Sequence, residues 1–246
     1  MNELNLVNFS SQQDLLTDLN RHWNDGRGFA VATLNLDHIV KMRESDMFRA
    51  AYQDQTHIVA DGNPVVWLSR LAGRPVDLVP GSELIAPLSA LAAEQAVPVA
   101  LLGSTQDTLD LAAERLEHAH PGLQVVARIA PPLGYDPDGP TAVSDLKQVA
   151  ASGARLCFLA LGAPKQERLA VLGRTHAPEC GFVSIGAGLD FVAGSQTRAP
   201  RWVRKLALEW VWRLLSNPTR LAARYGRCIL IMPGLTMAAL RGRFQG

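Results

Sequence analysis

Phe158-Leu-Ala-Leu-Gly-Ala-Pro-Lys-Gln-Glu167 continues an apolar run that begins at Leu156 and then turns abruptly hydrophilic. This is the pattern of a buried strand that closes in a tight turn and opens a helix. Gly162 lets the backbone approach closely, and Pro164 suits the first helical turn. In an open α/β sheet, ligands bind beyond the carboxyl ends of such strands. Lys165, Gln166 and Glu167 are therefore candidates to face a ligand, with free backbone N–H groups beside them for an anion. A solvated first turn of a surface helix gives the same pattern.

The same alternation extends in both directions. Strand patterns occur at 29–35, 57–60, 97–102, 123–127, 156–161 and 181–185. Between them, apolar residues recur at three- and four-residue spacing near 38–52, 64–72, 82–95, 106–119, 141–151 and 164–175. Alternating strands and helices predict an α/β fold: a mostly parallel, Rossmann-like sheet flanked by helices, followed by a C-terminal helical appendage. With 246 residues, the chain is long enough for one full core plus that appendage, divided at 1–195 and 196–246. Three scattered cysteines (Cys157, Cys180 and Cys228) form no disulfide frame, and a reducing cytoplasmic setting is expected. Met1-Asn-Glu-Leu-Asn5 has no basic region followed by an apolar block, so no signal peptide is expected.

The formal net charge of +1 conceals a segregation. Residues 198–246 carry ten Arg or Lys against Glu209 alone, while the first 197 residues carry a net −8. The basic tail also holds Trp202, Trp210, Trp212 and Tyr225, then an apolar run over 228–240 interrupted by Pro233-Gly234. A spanning helix needs about 20 apolar residues, so this run is too short to cross a bilayer. Arginine, tryptophan and short apolar stretches together suit an anionic membrane surface. A helix pair packed on its own domain is the plainer reading. Nucleic acid is not expected as a partner, because the rest of the chain is acidic and carries no recognition motif.

Five of the six strand ends supply candidate site residues: Thr33 and Asn35 after the first, Asp61 after the second, Gly103 after the third, Gly162 after the fifth, and Gly186 and Asp190 after the sixth. Asp61, between a buried strand and Gly62, is placed to act as a general base or to cap the helix that begins near Pro64. The phosphate-binding loop G-x-x-x-x-G-K-[ST] does not occur, and Phe191 breaks the dinucleotide pattern at Gly186-Ala-Gly188, which disfavours a dehydrogenase. Asp136-Pro-Asp138 is formally a metal-binding D-x-D but sits among prolines and glycines like a surface turn. The six histidines are spread along the chain without ligand spacing, so neither a metal nor any other cofactor is expected.

Taken in order, Thr33-x-Asn35, Ala60-Asp61-Gly62, Leu102-Gly103, Gly134-Tyr135, Leu161-Gly162-x-Pro164-Lys165-Gln166-Glu167, Gly186-x-Gly188-x-Asp190-Phe191, Ala193-Gly194, Arg198-Ala199-Pro200-x-Trp202, Leu208-Glu209-Trp210, Arg213 and Pro218-x-Arg220-x-x-x-Arg224-Tyr225 resemble the WecG/TagA/CpsF glycosyltransferases, glycosyltransferase family 26. The resemblance covers about Thr33 to Tyr225. It implies an inverting, metal-independent transferase at the cytoplasmic face of the inner membrane. Such an enzyme takes N-acetylmannosamine, its uronic acid or glucose from a UDP-sugar donor. It adds that sugar to a polyprenyl-diphosphate-linked acceptor in surface or exopolysaccharide biosynthesis. It implies that Asp61 is the catalytic base, that Thr33, Asn35 and Gln166 line the site, and that Arg213, Arg220 and Arg224 complete it. A homo-oligomer is possible for such a chain. One departure stands out: where relatives carry an Arg-Val-x-Gly-x-Asp stretch, this chain has Leu78-Val79-Pro80-Gly81-Ser82-Glu83. Arg70 and Arg74 are candidate replacements for the missing arginine. A non-catalytic, nucleotide-binding, membrane-docking module is the alternative class.

The residue types suit transfer chemistry independently of the resemblance. A sugar transferase needs a base for the acceptor hydroxyl and positive charge for the departing diphosphate. Arg220, Arg224 and Arg227 fall on one helical face, where guanidinium groups match phosphate oxygens. A solvated basic stripe would have the same spacing.

Overall fold

The computed structural model describes residues 3–196, 200, 203, 209–216 and 218–243, with the side chains of Arg213, Ser216 and Arg220 outside the described set. Six strands form one sheet: β1 (Phe29–Leu34), β2 (His57–Ala60), β3 (Val99–Gly103), β4 (Val125–Ile129), β5 (Leu156–Ala160) and β6 (Gly181–Ser184). Their order is β2-β1-β6-β5-β3-β4 and every pairing is parallel. The expected α/β architecture is therefore present, and all six carboxyl ends lie along one edge.

Parallel strands need crossovers, and here these are helices on both faces. On one face, α1 (Gln12–Asn24), α5 (Gly81–Glu94), α6 (Gln106–Ala119) and α9 (Gly188–Ala193) bury Leu19, Leu88, Leu109 and Leu189 against Val31, Leu101, Phe158 and Val183. On the other, α7 (Pro140–Ala151) and α8 (Lys165–His176) bury Leu146 and Leu169 against Ala30, Leu102, Leu159 and Phe182. Burying each large apolar side chain is worth ~1.5–3 kcal/mol. The strand residues alternate between the two clusters with the period of two that a pleated strand imposes.

A third cluster covers the β1–β2 end of the sheet. Leu34, Ile58 and Ala60 meet Ile39, Met42, Phe48 and Tyr52 of α2 (Leu36–Glu44) and α3 (Asp46–Gln53), and Val65 and Leu68 of α4 (Asn63–Leu71). The periodic stretch read as one helix over 38–52 is broken at Ser45, which ends α2 and caps α3 by accepting from Phe48 N–H. Such a hydroxyl competes with the helical ladder and favours a boundary. The free edge of β2 is covered by the N-terminal segment: Ile58 N–H donates to Asn8 Oδ1 at 2.7 Å, and Asn8 Nδ2 donates to Thr56 O. Edge coverage of this kind blocks pairing with another chain.

Among the described residues, α10 (Glu209–Ser216) and α11 (Pro218–Arg243) follow α9. Pro233-Gly234 does not interrupt α11, which runs through Pro233. A proline inside a helix removes one backbone hydrogen bond, and packing must offset that cost. The packing is visible: Leu235 and Ala239 are buried in the third cluster beside α2 and α4. The motif residues Arg198, Ala199, Trp202 and Leu208 lie outside the described residues.

Leu235→Ala should therefore lower folding stability by ~2–5 kcal/mol, the usual cost of emptying a buried leucine site. Leu230→Ala, at an exposed position on the same helix, should stay within ~0.5 kcal/mol of wild type. Urea denaturation midpoints distinguish the two. Equal effects would remove α11 from the packed core.

Candidate functional site

The carboxyl edge gathers most of the candidate residues. Thr33 is buried near the end of β1, opposite Val59 of β2. Asp61 follows β2 directly, and its N–H donates to Leu34 O at 2.8 Å, which continues the β1–β2 ladder by one residue. This places the half-buried Asp61 carboxylate so that the Thr33 hydroxyl donates to Oδ2 at 3.4 Å, a long hydrogen bond. The cap position of α4 belongs to Gly62, whose φ of +101° suits glycine, and no side chain caps that helix there. Asp61 is thus tied to the sheet edge and to Thr33.

Asn35 sits one residue beyond β1 and caps α2, its Oδ1 accepting from His38 N–H at 3.1 Å. Its Nδ2 donates to His38 Nε2 at 3.4 Å, and His38 Nδ1 lies 3.0 Å from the Tyr52 hydroxyl. Burial pushes the His38 pKa down to about 3, so the ring is neutral and can accept from Asn35 while donating to Tyr52. This chain of bonds sets the orientation of the Asn35 amide. Neither His38 nor Tyr52 was singled out from sequence, because each reads as an ordinary core residue of a helix.

The Lys165–Glu167 motif is placed differently from the simple expectation. Gln166 and Glu167 are both buried. Gln166 Oε1 accepts from Gly162 N–H at 3.2 Å and from Gly186 N–H at 3.0 Å, joining the loops after β5 and β6. Its Nε2 donates to Glu167 Oε1 at 2.9 Å. The N–H groups of Lys165 and Gln166 are not free for an anion, because both donate to Gly162 O as the turn closes on itself. Lys165 itself is half-buried at the start of α8. Burial outweighs the Gln166 hydrogen bond and lifts the Glu167 pKa to about 7.

Gly103 and Asp190 frame the other side of the edge. Gly103 has φ +124°, and a Cβ there would lie 2.4 Å from Ala160 O, so only glycine fits between β3 and β5. Asp190 accepts from Ser104 Oγ at 2.8 Å and from Gln196 Nε2 at 3.1 Å, tying the β3 loop to the segment after α9. Gly162 and Gly186 both take positive φ in their turns.

The tail reaches this edge through α2. Arg224 Nε lies 3.1 Å from Asp37 Oδ1, and Arg227 pairs with Glu44 at 3.2 Å. The basic face of α11 thus meets two acids of α2 and is not simply solvated. Asp37 also pairs with Lys41 at 2.7 Å, and Lys41 donates to Ala163 O at 3.1 Å. Burial raises the Asp37 carboxyl, but Lys41 and Arg224 together hold it below the usual carboxylate range. The Asp37/Lys41 pair at i, i+4 was the signal available in sequence. Backbone positions 213 and 220 lie on α10 and α11, and the roles expected of the Arg213 and Arg220 side chains fall outside the described residues.

Three further sequence readings can be compared with the structure. Arg74 is held by Leu4 O and Asn5 Oδ1 at the N-terminal segment, so it does not stand in for the arginine missing at Leu78. Asp136 accepts from Asp138 N–H at 3.1 Å and Asp138 pairs with Arg168, so the D-x-D stretch is a turn whose carboxylates are engaged. The histidines are not all isolated. His22 lies one turn after Asp18 on α1, and the fold brings His57 to both.

Glu167 gives a pH signature. Between the ordinary value near 4.5 and the folded value of about 7, the native carboxyl keeps a proton that the unfolded chain has released. Stability therefore falls as pH rises through that window. His38 contributes the opposite slope between about 3 and 6.5, because its unfolded form binds the proton and its native form does not. The wild-type minus Glu167→Gln difference in urea stability isolates the glutamate. It should decline from pH 4.5 to 7 and then level. A flat difference would mean that Glu167 titrates normally.

Residues 3–246 match the glycosyl transferase WecG/TagA/CpsF family. An N-acetylglucosaminyldiphosphoundecaprenol N-acetyl-β-D-mannosaminyltransferase of Bacillus spizizenii (strain ATCC 23059 / NRRL B-14472 / W23) is 28% identical over 223 residues, covering 89% of this chain and 81% of the relative. A protein of the same name from Bacillus subtilis (strain 168) is 28% identical over 205 residues, covering 82% and 77%. The chain belongs to the WecG/TagA/CpsF family and is a glycosyltransferase.

Proposed function

We propose that this enzyme moves a hexose or N-acetylhexosamine from a UDP-sugar to a saccharide carried on a polyprenyl diphosphate, with inversion and without a metal. N-acetylmannosamine, its uronic acid and glucose are the candidate sugars. The names of both Bacillus relatives, which specify an N-acetylglucosaminyl-diphosphoundecaprenol acceptor, support the lipid-linked class. The observation that carries the reading is the Thr33–Asp61 pair at the carboxyl ends of adjacent parallel strands, where open α/β sheets bind ligands.

In this reading the Asp61 carboxylate takes the proton of the acceptor hydroxyl. The hydroxyl oxygen forms its bond to the anomeric carbon on the face opposite the diphosphate. The bond from that carbon to the diphosphate oxygen breaks, and UDP leaves with the electron pair. Asn35 and Thr33 orient sugar and base. Gln166 acts through the two loops it joins. Arg213, Arg220 and Arg224 of the 196–246 appendage meet the diphosphate charge, as guanidinium groups do well. Leu78, at the position where relatives carry an arginine, favours a donor contact that differs from theirs. The engaged carboxylates of Asp136 and Asp138 support metal independence.

The tail also supports peripheral attachment at the cytoplasmic face of the inner membrane. Trp210, Trp212, Leu215, Ile229, Leu230 and Met237 are exposed beside the basic residues. Among the described residues, no helix is long and apolar enough to cross a membrane.

Asp61→Asn should fold normally and lower transfer at least ~100-fold, the low end for a general base. The check is turnover of UDP-sugars with a short-chain polyprenyl-diphosphate glycoside, alongside a thermal melt. Near-normal turnover of a folded variant removes Asp61 from the role. Co-sedimentation with anionic liposomes should weaken as salt rises, since each basic residue near such a surface contributes ~1 kcal/mol that ions screen. It should not vanish, because apolar contacts are unscreened. Binding indifferent to salt and to lipid charge would exclude this mode of attachment.

A further inference from the structure

Away from the carboxyl edge, Asp18 and His22 on α1 converge on His57, the first residue of β2. His57 Nε2 lies 3.0 Å from Asp18 Oδ2, and His22 Nε2 lies 3.6 Å from the same oxygen. The three ligand atoms all fall within 4.8 Å of one another. A tetrahedral ion with metal–ligand distances of ~2.0–2.1 Å sets its ligand atoms ~3.3 Å apart, so the edges of 3.0 and 3.6 Å lie near that length and the third, within 4.8 Å, closes by movement of the part-exposed Asp18 and His22 side chains.

The far nitrogens support the same reading. His22 Nδ1 lies 3.3 Å from Gly28 O. A carbonyl only accepts, so Nδ1 donates to it, and Nε2 is the ring atom that faces the Asp18 carboxylate. His57 Nδ1 lies 2.7 Å from Thr56 Oγ1. That hydroxyl accepts from Ala30 N–H and lies 2.9 Å from Ala30 O, so when it donates to Ala30 O it can accept the His57 Nδ1 proton, which is the tautomer that frees Nε2 to bind an ion in place of its hydrogen bond with Asp18. Histidine ligands held through Nδ1–H by carbonyl or hydroxyl oxygen are the usual outer support of a metal site. The His57 ring is stacked on Phe9 at 4.7 Å and edged by Phe29, which fixes its plane. Asp18 is 32% exposed, leaving one side open to water. The neighbouring cations point elsewhere: Arg21 lies 3.8 Å from the other Asp18 oxygen, and Arg174 donates to Asp54 O.

We propose that Asp18, His22 and His57 bind one divalent transition-metal ion of borderline softness, Zn²⁺ or Co²⁺, which staples α1 to the start of β2. Two imidazoles, one carboxylate and a water suit such an ion better than Mg²⁺ or Ca²⁺, which prefer all-oxygen shells. Along β2, His57 and Asp61 are separated by ~13 Å at ~3.3 Å per residue. The ion therefore touches no reacting atom, and the site is separate from the transfer chemistry.

The test uses the full chain, stripped with chelator and desalted, then titrated with Co²⁺ and with Zn²⁺. The expected result is one equivalent of Co²⁺ with visible d–d absorption, displaced by Zn²⁺, and a melting temperature that rises on Zn²⁺ addition. Asp18→Asn and His22→Gln, each verified as folded by circular dichroism, should weaken binding at least ~10-fold, the lower limit for losing even an outer-shell partner. His118→Gln should leave it unchanged. No saturable uptake by the wild-type chain, or uptake that either folded variant leaves intact, overturns the proposal. Sugar transfer measured on the stripped protein is read separately. Its loss would count against metal-independent transfer, whereas the Asp18–His22–His57 site stands or falls on the binding data alone.

Discussion

All six strands run the same way, and a parallel strand can be joined to its neighbour only by a crossover that returns over one face of the sheet. That constraint sends every carboxyl end to one edge and every crossover helix to a face. Thr33, Asp61, Gly103, Gly162 and Gly186 come from strands or turns far apart in sequence and share no local motif. They meet because the sheet order β2-β1-β6-β5-β3-β4 interleaves the two halves of the chain. β1 lies between β2 and β6, so the residues that follow all three strands are neighbours.

Such an edge is polar while the sheet beneath it is apolar, and the boundary has to be satisfied bond by bond. Gln166 does this for the loops after β5 and β6, accepting two backbone N–H groups and donating to Glu167. His38 and Tyr52 do it beneath Asn35. Both arrangements bury titratable groups in a neutral or partly neutral state, which costs less than burying charge. Hydrogen bonds of this kind fix how the dipoles beneath the edge are oriented.

The C-terminal helix has two faces with different demands. Leu235 and Ala239 are inside the third core cluster, while Ile229, Leu230 and Met237 face outward. Between them, Arg224 and Arg227 meet Asp37 and Glu44 of α2. Asp37 lies two residues beyond Asn35, so the segment that caps the site also anchors the tail. One short helix thus contacts both the tail and the carboxyl edge.

Much of this was legible in the chain itself. Apolar runs placed the five strands that are buried on both faces, because such a strand is continuously apolar, while edge strand β4, whose burial alternates, runs two residues later than its sequence pattern. The ordered motifs identified the family, and the position of Asp61 after a buried strand singled it out. Other features depend on contacts that no local pattern encodes. The inward turn of Gln166 and Glu167 is set by two loops distant in sequence. The support of Asn35 by His38 and Tyr52 and the Asp18–His22–His57 cluster each join separate elements. The continuity of α11 through Pro233 reflects packing that offsets a lost hydrogen bond. Periodicity reports how each segment faces the core. Which polar side chains meet across segments is decided only when the sheet order brings them together.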